Sequence, residues 1–443
     1  SVVDEFALEV NLDGQIGDVL DGLPGVSSTS FAPGASRPVL RGLQGERVRV
    51  LSDGVGTIDA SGTSADHAVT INPLIAERIE VLRGPASLLF GSSAIGGAVN
   101  VIDRRIPTRL PADGVDLDLL GALNSAFDLR EVAGSADLAL GGGVVFHLDG
   151  SWRETNDVEV PGFAVAGPLR AELLDEAEEE AEEEPDEAAE LIAAANQRGF
   201  VPNTATRTYT LGSGLAWITP GASIGVSVGY YDSVYGLPGR PGAGHHHHGE
   251  DDHDEDHDDE HGDDHDEHDH EEEEGEENVS IDLEQLRFDL RGQFHLSDTG
   301  FFHDLLIRAG YSDYTHTEFE GAEVGTVFDV EGFEGRVELI QNAQALGNGG
   351  QWRGSTGVQF ARTDFVADGA EAFVPPNITE QWAVFALQEL DFGAVEAEFG
   401  ARYENTSVEA ETLGLSRSFD TFSGALGLSY TIGRDARFGI NGS

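Results

Sequence analysis

An antiparallel transmembrane β-barrel behind a small α+β domain is the fold this sequence predicts. Three observations predict it. Apolar and polar side chains alternate with a two-residue period through most of 108–443, tight and very long connections take turns between the alternating runs, and residues 1–107 mix short apolar runs with dense turn signals. At 443 residues the chain exceeds one ordinary domain and suits a barrel with an inserted domain, or two to three compact units.

In the first part, Val48-Arg-Val-Leu-Ser-Asp-Gly54 and Arg78-Ile-Glu-Val-Leu-Arg-Gly84 read as strands ending in glycine turns. Pro107 and Pro111 mark a boundary, giving a first domain over 1–107 and a barrel over 108–443. The clearest barrel strand runs from Leu286 to Leu296, with Leu286, Phe288, Leu290, Phe294 and Leu296 on one face and Arg287, Asp289, Arg291, Gln293 and His295 on the other. Val144–Arg153 and Ile224–Tyr230 alternate likewise, in strands of roughly ten residues.

Alternation alone fits either a soluble sandwich or a barrel with its apolar side in lipid. Strand length and loop asymmetry favour the barrel. Tight connections such as Leu140-Gly-Gly-Gly143 and Asp391-Phe-Gly-Ala394 alternate with long outer excursions at 154–205 and 233–280. About a dozen strands start between Val115 and Ile440, short of the ~22 of a plugged transporter barrel, so the sequence predicts an incomplete barrel. Residues 169–197 are rich in Glu and Ala and read as a solvated helical excursion interrupted at Pro185.

Composition narrows the function. The net charge is -57, with 32 of the 82 acidic residues confined to 172–190 and 250–277. Such a balance repels phosphate backbones, so no nucleic-acid partner is expected, and it attracts cations. With no cysteine, a metal site is limited to His, carboxylate and water ligands. The absence of Met, at position 1 as elsewhere, and an end inside a strand-like pattern suggest a fragment or processed chain that has lost a signal peptide. No stretch reaches the ~18 to 20 apolar residues of a membrane-spanning helix.

Ten histidines lie between 245 and 270: His245, His246, His247, His248, His253, His257, His261, His265, His268 and His270, interleaved with Asp and Glu. Imidazole ligates zinc, copper and nickel, and the four-residue spacing from His253 to His265 would align side chains if the segment became helical. A tag, a merely solvated acidic loop or a pH-sensitive polyelectrolyte are the blander readings. A tag sits at a terminus, whereas this run has strand patterns on both sides. Weak, multiple metal sites that concentrate cations explain it better.

Asp18-Val-Leu-Asp-Gly-Leu-Pro-Gly-Val26, Arg37-Pro-Val-Leu-Arg-Gly42, Glu77-Arg-Ile-Glu-Val-Leu-Arg-Gly-Pro85 and Leu89-Phe-Gly-Ser-Ser-Ala-Ile-Gly-Gly-Ala-Val-Asn-Val-Ile102 resemble, in order and spacing, the plug of TonB-dependent receptors. Gly91-Ser-Ser-Ala-Ile-Gly96 lacks the Lys-Ser/Thr ending of a phosphate-cradling P-loop. Arg41 and Arg83 are expected to pair with lumen carboxylates. Ala60-Ser-Gly-Thr-Ser-Ala-Asp-His-Ala-Val69, with a histidine-rich loop after Tyr235-Gly-Leu-Pro238, resembles the zinc-uptake receptors within that superfamily.

The resemblance implies a plug–barrel zinc site using Asp66 and His67, with Glu318 of Tyr314-Thr-His-Thr-Glu318 as barrel carboxylate, His316 as a weaker neighbour, and a further histidine beyond Ser443. By itself His67 reads as a hydrogen-bonded loop histidine, and His147, His295 and His303 as lumen or turn residues. The implied function is TonB-dependent import of Zn²⁺, or another divalent metal, through the outer membrane of a Gram-negative bacterium. The resemblance also implies membrane lipid around the barrel and the TonB-ExbB-ExbD complex as the energising partner. A haem or metal-chelate receptor and a non-transporting metal-binding surface protein are the alternatives. No nucleophile elbow or His-Glu-x-x-His helix supports an enzyme.

Overall fold

The computed structural model describes residues 2–4, 14–182, 184–239, 278–369, 372–432 and 436–442. The N-terminal part folds around a five-stranded sheet in which Val2–Asp4, Ala76–Leu82, Gly97–Asp103, Val48–Ser52 and Val55–Gly56 lie side by side in that order. Val48–Ser52 runs parallel to Gly97–Asp103, and the other neighbours are antiparallel. Ile16, Leu20, Leu40, Ile79, Val99 and Val101 form its core with the Ile16–Leu20 helix. Gly97 allows the turn into the central strand: its φ is +135°, and a Cβ there would meet the Leu82 carbonyl at 2.5 Å.

The rest is one fourteen-stranded antiparallel sheet from Val115–Asn124 to Ala436–Gly442, each long strand pairing with the next in chain order and Gln344–Ala345 adding a short side pairing. Among the described residues its first and last strands do not pair with each other, so the barrel is not closed. Strands reach 19 residues, as in Phe302–Glu320 and Glu323–Gln341, against the roughly ten read from the sequence. A bilayer needs only ~9–11 tilted residues, so the surplus projects beyond it. Long connections leave one end of the sheet, after Thr155 and Gly236, and turns such as 220–221 and 392–394 close the other. In outer-membrane barrels the short-turn end is periplasmic. Within the first excursion are two helices, Gly167–Glu180 and Pro185–Asn196, and Pro185 begins the second of them.

Side-chain exposure decides between sandwich and barrel. In the Val279–His295 strand Phe288 is 46% exposed while Arg287 is 6% exposed. Trp217, Val226, Val358 and Trp382 are exposed too, whereas Gln285, Arg291, Glu334, Arg336 and Arg402 are buried against the plug. Apolar outside and charged inside is the polarity of a barrel in lipid. Phe288→Arg should therefore cost roughly 2–4 kcal/mol of folding stability in liposomes, the midplane penalty for a lipid-facing Arg. An unchanged urea midpoint would place that face elsewhere.

The plug is locked to the wall by buried charge. Arg49 donates to Glu334 at 2.6 Å, Arg291 to Asp53, Arg287 to the carbonyls of Gly56 and Thr57 at 2.9 Å, and Arg336 and Arg402 to the carbonyl of Leu89. Arg41 and Arg83 do not take the expected role. Arg83 donates to the Pro24 carbonyl at 2.8 Å inside the plug, and Arg41 is exposed at a turn with φ +53°. Among the described residues, the plug arginines that reach wall carboxylates include Arg49, on the strand next to the sheet edge, and Arg104 and Arg105 on the exit segment.

Candidate metal centre

Along Phe302–Glu320 the inward positions are the even ones, so Tyr314, His316 and Glu318 share one face at the long-loop end. The plug segment 60–69 comes to meet them. His67 Nε2 lies 3.0 Å and His316 Nε2 3.3 Å from the same oxygen, Glu318 Oε1. One ligand atom from each of the three residues lies within 4.8 Å of the others. His67 is 1%, His316 0% and Glu318 5% exposed. Phe328 packs edge-on against both imidazoles, at 4.9 and 5.3 Å between centroids.

The far ring nitrogens are committed. His67 Nδ1 faces the Ala60 carbonyl at 3.1 Å and Thr63 Oγ1 at 2.9 Å. Because Thr63 Oγ1 donates to Ala60, Nδ1 must carry the hydrogen. In the charged ring Nε2 donates to Glu318, and loss of that hydrogen frees the Nε2 lone pair for a metal. His316 Nδ1 is paired with Tyr314 Oη at 2.9 Å, and its buried Nε2 makes no hydrogen bond among the described residues. Hydrogen bonds at the far nitrogen orient a histidine ring and prepare its other nitrogen for a metal. At zinc bond lengths of ~2.0–2.1 Å, neighbouring tetrahedral ligands sit about 3.3 Å apart, close to the two separations found here.

Asp66 stands apart from this trio. Its carboxylate accepts from Ser64 Oγ, and its carbonyl accepts from Tyr235 Oη at 2.9 Å. Tyr235 in turn accepts from the Ala68 amide at 3.0 Å. Asp66 thus contributes field, while His316, weak in the sequence, lies at the centre. Tyr235, Thr63 and the Ala60 carbonyl escaped the sequence reading, although Tyr235 heads the quoted Tyr-Gly-Leu-Pro motif. The histidines at 245–248, 253, 257, 261, 265, 268 and 270 lie outside the described residues. His147 bridges Asp137 and Asp149 at 2.7 and 3.3 Å.

Burial of His67 disfavours its charged form, but the Glu318 hydrogen bond, the Asp66 charge and the Ala60 carbonyl outweigh it, and its pKa lies above the usual imidazole value. A raised folded pKa stabilises fully below the unfolded value, about 6.5, and the contribution is lost as pH rises through the folded value. In metal-free protein the urea midpoint for plug release should fall as pH rises through that window. His67→Gln should lack this slope, and an equal slope in the variant would remove the ion pair as its cause.

Residues 1–98 match the TonB-dependent receptor plug domain, and residues 195–438 match the TonB-dependent receptor-like β-barrel. With more than half of its length in the barrel match, the chain belongs to the TonB-dependent receptor family. Such receptors are outer-membrane β-barrel proteins of Gram-negative bacteria, and they are transporters rather than enzymes. Over 145 residues the chain is 34% identical to the vitamin B12 transporter BtuB of Vibrio vulnificus (strain CMCP6), spanning 32% of this chain and 23% of that protein. The copper transporter OprC matches with a TM-score of 0.66 at 14% identity, over 97% of this chain and 59% of its own. The ferric-catecholate import receptor Fiu from E. coli K12, in its open form, gives 0.66 at 15% identity over 100% and 68%. At such identities the structural likeness speaks for the fold.

Proposed function

We propose that the chain imports a divalent transition metal, zinc foremost, across the outer membrane, and that His67, His316 and Glu318 hold it on the way. The observation that carries this reading is a buried pair of imidazoles converging on one carboxylate oxygen across the plug–wall boundary. Imidazole and carboxylate suit zinc and Cu²⁺ alike, and a chain with no Cys or Met has no soft ligand to select Cu⁺. Phe328 packs on both imidazoles, Tyr314 bonds His316, and no member of the trio is more than 5% exposed, which favours a bare ion over haem or a chelate.

The ligand set is divided, with His67 on the plug and its partners on the wall. When the energising TonB-ExbB-ExbD complex displaces the plug, the coordination sphere comes apart, and affinity falls in the state that must release the metal. Transport requires that difference between states. The acidic, histidine-rich 245–270 loop gathers cations outside.

The test is zinc and haem binding to the purified chain, with uptake by zinc-starved cells carrying the receptor or its His67→Ala variant. Zinc binding and uptake that both fail in the variant support the reading. Tight haem binding that survives loss of His67, with no zinc binding, sinks it. If deleting 245–270 abolished all metal binding, a surface sink would replace the transporter.

A further inference from the structure

The opposite, short-turn end of the wall carries a second cluster of metal-ligating side chains. The Val279–His295 strand ends at His295, and the 296–301 turn returns the chain into Phe302–Glu320 beside His303. His295 and His303 meet edge to face with centroids 4.7 Å apart. One ligand atom from each of His295, Asp298 and His303 lies within 4.8 Å of the others. We propose that His295, His303 and Asp298 form a second divalent-metal site, of the zinc and Cu²⁺ class, at the periplasmic mouth.

Asp304 sets the tautomers. Its Oδ1 faces Nδ1 of His295 at 3.3 Å and Nδ1 of His303 at 2.9 Å, while its Oδ2 accepts from the Gln293 amide at 3.2 Å. A carboxylate can only accept, so both Nδ1 atoms carry hydrogen and both Nε2 lone pairs remain for a ligand. Asp298 Oδ1 is 3.3 Å from His295 Nε2, close to the about 3.3 Å edge of a tetrahedral zinc sphere with ~2.05 Å bonds. The turn is braced beforehand. The Leu296 amide donates to the His303 carbonyl at 2.7 Å, and the Asn342 side chain from the next hairpin donates to the carbonyls of Ser297 and Gly300 at 2.8 and 2.9 Å. A rigid turn spares the ion the cost of ordering its ligands.

The Phe302–Glu320 strand therefore has a candidate site at each end, His316 and Glu318 at one and His303 at the other, 13 residues or about 44 Å apart at ~3.4 Å per residue. The second site is partly open to solvent, so it suits a metal leaving the lumen for a periplasmic acceptor rather than one being held.

The probe is Zn²⁺ alone. The chain lacking 245–270 and carrying His67→Ala with Glu318→Gln should retain one equivalent of bound zinc, and adding His295→Asn with His303→Asn should remove it. Anomalous scattering at the zinc edge from the unmutated chain, which requires no variant to fold, should place an ion between His295, His303 and Asp298. No peak there at saturating zinc, or zinc retained after both histidines are replaced, overturns the inference. A peak at His295 with none at His67 keeps this site and removes the reading above, and the converse removes this site alone.

Discussion

Glu318→Gln lowers zinc affinity by about 100-fold or more, beyond the 10–100-fold that follows loss of a partner which merely orients a ligand. Gln keeps the shape and one acceptor oxygen but no charge, and Glu318 Oε1 is the single atom on which both imidazoles converge. Without the anion, two buried imidazoles must carry a divalent cation alone, and burying an uncompensated charge is costly. Competition against a chromogenic zinc chelator, in the chain lacking 245–270 so that weak loop sites do not mask the change, measures this directly. An unaltered dissociation constant would mean that the metal binds elsewhere.

Glu334→Ala should weaken the hold of the barrel on the plug by roughly 3–5 kcal/mol, the cost of removing one partner from a buried ion pair. Glu334 accepts from Arg49 at 2.6 Å, from Gln359 at 2.6 Å and from the Gly56 amide at 3.2 Å, so its loss leaves a guanidinium, an amide side chain and a backbone N–H without their acceptor. Hydrogen exchange read at 48–57 should accelerate while the wall strands stay protected. Uniform acceleration across plug and wall would show instead that the two unfold as one unit.

Two-residue alternation made the wall legible, but a period of two is the same whichever face is greasy. The period alone does not say that Phe288 points out and Arg287 in; strand length and loop asymmetry favour it, and packing against the plug shows it. Tyr314-x-His316-x-Glu318 was readable in the same way, because alternate residues of a strand share a face. The meeting with His67 was not, since those partners are 251 residues apart and no local pattern encodes that contact. Asp66 entered the expected ligand set through the resemblance alone, and in the fold its carboxylate accepts from Ser64. Arg49 and Glu334, 285 residues apart, were invisible for the same reason, and the expectation fell on Arg41 and Arg83. The second cluster was closer to hand. His295 and His303 flank one tight turn, but the Nδ1 hydrogen bonds that give them a purpose depend on how that turn closes.

Tyr235 holds the peptides on both sides of His67, accepting from Ala68 N and donating to Asp66 O, and it stands four residues before Gly239, where the described chain gives way to the segment bearing the ten histidines. A single buried phenol thus ties the backbone around His67 to the strand that leads into that segment. If cation capture outside biases the position of Tyr235, it changes affinity inside, and filling the inner site changes capture by the same factor, because equilibrium coupling between two sites is reciprocal.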